Sequence, residues 1–98
     1  MLFAVRFHDR IERADVRREH LQAHIDWLDE HKDVVLVGGS LRNESGAHPV
    51  GALWLVEAAD KISVEALIQS DPFFIHGLRE RHEIFLWSKA FPERRVSV

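Results

Sequence analysis

The chain has 98 residues, 46% of them apolar, with no cysteine and a formal charge of −3 at a pI near 6.1. That length fits one domain spanning residues 1–98, and the apolar content is that of a folded globular protein. Disulfides, thiolate nucleophiles and zinc–cysteine sites are excluded, and no basic excess offers itself to nucleic acid phosphates. No apolar run approaches a membrane span, and the first residues lack the pattern of a signal peptide, so a cytoplasmic protein without membrane or nucleic acid partners is expected.

The chain opens with a short β-forming run, Leu2 to Phe7, read as the first strand. From about Ala14 to Lys32 the periodicity is helical. Ala14, Arg18, Leu21, Ile25 and Leu28 recur at steps of four, three, four and three, and this stripe is expected to face the core. Val34 to Val37, extending toward Leu41, forms a second strand that ends in Gly38-Gly39. A turn cluster, Asn43-Glu44-Ser45-Gly46, leads into a third strand from Val50 to Glu57. Here Ala52, Trp54 and Val56 share one face while Leu53 and Leu55 share the other. A second helix is expected from Ser63 to Gln69, with Ser63 a plausible N-cap. It must stop before Pro72, which lacks an N–H and restricts Asp71. Phe73 to Leu78 suits one more turn, stopped by Gly77. The last strand is expected from His82 to Lys89, and residues 90–98 read as a C-terminal arm.

The order β-α-β-β-α-β points to an α+β, ferredoxin-like fold: a four-stranded antiparallel sheet with two helices on one face. The uncovered face of such a sheet should turn polar. Here the first, third and fourth strands are apolar on both faces, the fourth through Phe85 and Trp87 against Ile84 and Leu86. So much apolar surface calls for a partner sheet, and a homodimer or higher homo-oligomer is expected.

Beside its core stripe the first helix carries a second one: Arg17, His20, His24, Trp27 and His31. A solvated face accounts for His24 and His31. His20 precedes Leu21 of the core stripe, which puts it at the boundary where an imidazole is useful for proton transfer. The second signal is Asp71-Pro72-Phe73-Phe74. Asp71 suits a turn, but two helices on one face of a sheet also bring the end of the second helix against the flank of the first. There a carboxylate can orient His20. His20 and His24 also have the i, i+4 spacing of metal ligands, with Asp71 or His76 as a third. The Glu of a zinc-protease motif is not in place, and neither a metal nor another cofactor is expected. Gly38-Gly39-Ser40 leads into a hairpin rather than a helix and is no phosphate cradle, although Ser40 can line a pocket.

Taken together, Arg17-x-x-His20-Leu21, Gly38-Gly39-Ser40-Leu41, Gly51 before an apolar strand, Asp71-Pro72-Phe73, Gly77-Leu78 and a last strand ending in Trp87 resemble the YCII-related (YciI-like) domain family. The resemblance spans nearly the whole chain and implies a dimeric α+β barrel. It departs where the family often has Gly-Pro, here Gly39-Ser40, and where it often has Pro, here Arg18. It implies a His–Asp active-site pair, matched by His20 and Asp71, with Arg17, Ser40 and Phe73 as substrate-binding residues. The expected function is a small-molecule enzyme of lyase or isomerase type acting on a cyclic or aromatic compound, since family relatives are linked to dehydrochlorination of chlorinated aromatics. The alternative expectation is a non-catalytic dimeric module that binds a small ligand.

Overall fold

The structure, a computed structural model, describes residues 1–93. Four strands, β1 (Leu2–Asp9), β2 (Val35–Leu41), β3 (Gly51–Glu57) and β4 (Arg79–Leu86), form one antiparallel sheet in the order β2-β3-β1-β4. A 3-10 turn, Ile11–Arg13, runs into helix α1 (Ala14–Glu30); helix α2 (Lys61–Gln69) and a single turn, α3 (Pro72–Ile75), follow β3. This is the expected βαββαβ arrangement. The last five residues of the proposed C-terminal arm lie outside the described residues.

Alternation in β1 decides which side is core. Phe3, Val5, Phe7 and Asp9 are buried, and Leu2, Ala4, Arg6 and His8 on the other side are only half-buried. On β3 the buried set is Ala52, Trp54 and Val56, as the two-residue period requires. Trp27 of α1 and Val64 and Ile68 of α2 close the core from above. The opposite face of the sheet presents Leu53, Phe85 and Trp87, all substantially exposed.

Helix α1 is turned relative to the sequence expectation. Its buried residues are Val16, His24 and Trp27, whereas Leu21 and Ile25 of the apolar stripe are 43% and 46% exposed. The inward stripe is therefore the polar and aromatic one. Trp27 makes this tolerable: its ring stacks on Trp54, and its Nε1–H donates to Ser70 Oγ at 3.0 Å. A Trp can go inside when its N–H finds an acceptor.

Three local features place the site. Asp60, rather than Ser63, caps α2, its Oδ1 accepting the Ser63 N–H at 2.8 Å. Asp71 then caps α3, with Pro72 at the first helical position, where a missing N–H costs nothing. Finally, β4 begins at Arg79, three residues earlier than expected, and carries a bulge against β1. His8 lies opposite Arg81, but Asp9 lies opposite Arg79. A regular ladder would set Glu80 against Asp9, two acids together. The extra residue of the bulge brings Arg79 there instead. Gly51, opposite His8, fits the same crowded stretch of β1: a β-carbon there would overlap the carbonyl oxygen of Phe7.

Candidate active site

The polar residues buried under the helices, Asp9, Arg79, Asp71 and His24, form one connected chain with the half-buried Arg17. Arg17 Nη2 donates to Asp9 Oδ2 at 2.6 Å, and Arg79 Nη1 donates to Asp9 Oδ1 at 2.7 Å. The same guanidinium reaches toward Asp71, with Nη2 3.9 Å from Oδ2. Asp71 is fully buried; its Oδ1 receives the Phe73 N–H at 3.2 Å and lies 2.6 Å from His24 Nδ1. A carboxylate only accepts, so Nδ1 carries the hydrogen and the lone pair of the neutral ring sits on Nε2. The imidazole is held flat against Phe73, with ring centroids 4.0 Å apart.

Buried charges are stable only when compensated. Arg79 is compensated from several sides: by Asp9, by Asp71, and by the faces of Phe7 and Phe73, whose centroids lie 4.4 and 5.2 Å from its Cζ. Burial lowers its pKa from the ordinary arginine value, and the fields of Asp9 and Asp71 work against that fall. Asp71 Oδ2, Arg79 Nε and Trp54 Nε1 are buried without a hydrogen-bond partner among the described residues. Unpaired polar atoms are uncommon in a folded interior.

A cavity of about 200 Å³ adjoins this chain. Arg17, His24 and Arg79 supply its polar wall, with Ser40 and the backbone of Gly38 and Gly39 from β2. Leu21, Ile25, Leu28, Ala52 and Trp54 supply its apolar wall. Ser40 Oγ accepts from Arg42 Nη2 at 2.9 Å and still has a proton to donate. An apolar slot with a few convergent polar groups is the usual form of a small-molecule site.

The sequence expectation needs one correction here. Asp71 meets a histidine of α1, but that histidine is His24. His20 lies one turn earlier and stacks on His76 at 3.6 Å between centroids, nearly parallel; its nearest carboxylate among the described residues is Glu19, at 3.9 Å. The rotation of α1 is the reason, since it carries the stripe of His24 and Trp27 to the centre of the interface. His20 and His24 are thus engaged with different partners, and no group of three His, Asp or Glu side chains among the described residues converges as a metal would require. Arg17 and Ser40 line the cavity, and the ring of Phe73 stacks against the imidazole of His24. Asp9 and Arg79 were missed. The alternation Phe3-Val5-Phe7-Asp9 does signal an inward Asp9, but nothing local in the sequence signals the bulge that delivers Arg79.

The model of the YCII-related domain matches residues 1–88. The chain belongs to that family. Among solved structures it is similar to 5-chloro-2-hydroxyhydroquinone dehydrochlorinase (TftG) from Burkholderia phenoliruptrix AC1100, in complex with 2,5-dihydroxybenzoquinone. The two are 28% identical, with a TM-score of 0.80 over 90% of this chain and 94% of the other. It also shares its fold with a candidate antibiotic biosynthesis monooxygenase from Bacteriodes thetaiotaomicron VPI-5482, at 19% identity and a TM-score of 0.58 over 99% and 95% of the two chains. No match was found among curated proteins. Family and dehydrochlorinase neighbour together support an enzyme-like role on a small molecule.

Proposed function

We propose that this protein is a lyase or isomerase in which His24, oriented by Asp71, moves a proton on a hydroxylated six-membered ring held in the cavity. The observation that carries this reading is the 2.6 Å contact between His24 Nδ1 and a fully buried Asp71, which leaves Nε2 to act. His24 lines the cavity directly. It takes the place of His20, for which the resemblance argued, because Asp71 is the orienting group and His24 is the imidazole on it.

The chemistry needs no more than proton transfer. Nε2 removes a proton from a ring hydroxyl or an acidic ring carbon. The electron pair left behind moves either into a conjugated carbonyl, for isomerisation, or onto an anionic leaving group, for elimination. The imidazolium then returns its proton to substrate or solvent. Arg17 and Arg79 line the cavity, and fixed cations there would stabilise negative charge that develops on a ring oxygen. The cavity is about the size at which a single ring fits; an engineered hole of about 150 Å³ binds benzene. The dehydrochlorinase neighbour binds a dihydroxybenzoquinone, a compound of this class. We further propose that the protein works as a homodimer joined through the open face of the sheet, where Leu53, Phe85 and Trp87 lie.

The test is turnover of 5-chloro-2-hydroxyhydroquinone and related quinols by His24→Gln, Asp71→Asn and His20→Gln. General acid–base groups contribute about 100- to 10,000-fold, so His24→Gln should lower kcat by that much and His20→Gln by little. Turnover that survives His24→Gln sinks the assignment. Quinol binding without turnover in the unaltered protein would favour the binding module.

A further inference from the structure

A second cavity, about 480 Å³, adjoins the first, and the side chains of Arg17 and Leu21 line both. It runs along the opening turns of α1 toward His48 and carries none of the His24–Asp71 machinery. Its charge is unbalanced. Among the described residues Asp9 is the single carboxylate in its wall, and both oxygens of Asp9 are already occupied, by Arg17 and by Arg79. Arg10 and Arg18 make no ion pair among the described residues. Arg10 places Nη1 on the carbonyl oxygens of Gly77 and Arg79, at 3.2 and 2.9 Å, which anchors the guanidinium without neutralising it. Arg18 makes no hydrogen bond or ion pair among the described residues, although Asp15 and Glu19 lie close to it on the same helix.

The rest of the wall is apolar. Ile11 is 86% exposed and Leu78 lies at the bottom, so the cavity is a greasy trough with two guanidinium groups and one imidazole on its rim. Water alone gains little from such a surface. A ligand with an apolar stem and an anionic end satisfies both parts, because guanidinium binds carboxylate through two parallel hydrogen bonds. The two cavities share Arg17 and Leu21 in their walls and so lie side by side.

We propose that the trough is an anion subsite, and that the substrate is a hydroxylated ring bearing a short acidic side chain whose carboxylate is taken by Arg18 and Arg10. The location of the ring rests on the function proposed above; the location of the carboxylate does not. The side chain passes Leu21, the carboxylate reaches Arg18, and the ring stays against His24. Arg18 thereby sets specificity: compounds lacking the acid bind through the ring alone.

The experiment compares hydroquinone with 2,5-dihydroxyphenylacetate by calorimetric titration of the intact protein and of Arg18→Gln, an exposed substitution that leaves the core untouched. The acid should bind about tenfold or more tighter than hydroquinone, as one charge-assisted contact implies. Arg18→Gln should remove most of that advantage without changing hydroquinone binding, and Arg18→Lys should restore part of it. Added salt should erode the advantage, since the rim is open to solvent. Equal affinities for the two compounds, or a ratio unmoved by Arg18→Gln, overturn the subsite and leave the ring reading intact. Acid binding that depends on Arg18 in a protein with no affinity for hydroquinone upholds the subsite and removes the ring from the His24 cavity.

Discussion

Each face of the sheet departs in part from the usual distribution of residues: the helix-covered side, whose core includes Phe3, Val5, Phe7, Trp54 and Val56, also buries ions, and the open side also carries large apolar side chains. Under the helices, where apolar contacts are expected, lie Asp9, Asp71, Arg79 and His24. On the face that no helix covers, where polar residues are expected, lie Leu53, Leu55, Phe85 and Trp87. Each departure has its own physical reason. Burying ions is tolerable only in a closed set of partners, and such a set strengthens every electrostatic effect inside it. Exposing apolar side chains is tolerable when another surface covers them. The proposed chemistry draws on the first face and the proposed association on the second.

The strongest way to break that contrast is to open the buried chain. Arg79→Ala leaves Asp9 and Asp71 facing each other without their shared cation. The expected loss is about 3–5 kcal/mol of unfolding free energy, read by denaturant titration. A loss under about 1 kcal/mol would mean that the carboxylates do not depend on Arg79. The open face should respond differently. Leu53→Lys combined with Phe85→Glu should abolish dimerisation, seen by sedimentation at two protein concentrations, while the far-ultraviolet circular dichroism of the fold persists. A wild-type protein that sediments as a monomer at both concentrations would refute the dimer. The smallest effect belongs to a group outside both faces. The backbone N–H of Ser63 holds the Asp60 carboxyl below its ordinary value of 3.8. A carboxyl depressed in the folded state stabilises fully above its unfolded pKa, and that contribution fades as pH falls through the folded value. Asp60→Ala should therefore lower Tm slightly at neutral pH, and the gap from wild type should close on acidification below about pH 3.8. A gap that stays constant across that range would show that the cap does not act through its charge.

The sequence carried the architecture well because period and punctuation are local. Alternation along β1 and β3, the stop at Pro72 and the glycine at residue 77 (φ near +81°) need only neighbouring residues to be understood. Asp71 was readable for the same reason, as the residue before a proline that starts a helical turn. Its partner was not. The rule that an apolar stripe turns inward chose Ala14, Leu21 and Ile25, and it failed because the partners that make a polar stripe buriable come from elsewhere. Ser70 receives the Trp27 N–H, Asp71 receives His24, and Asp9 receives Arg17. All three acceptors sit outside the helix whose orientation they decide. Arg79 was hidden in the same way, since a bulge is a property of two paired strands and not of either strand alone.

The three tryptophans have an optical consequence. Trp54 lines the ring cavity and Trp27 stacks against it, with centroids 5.2 Å apart, while Trp87 stands half-exposed on the open face. A quinone in the cavity would lie within quenching distance of the first two and leave the third bright. Association of two sheets would shift the emission of the third and leave the coupled pair as it was. Occupancy and assembly can thus be followed in one cuvette by different colours of the same intrinsic fluorescence, with Trp87→Phe as the control that separates them.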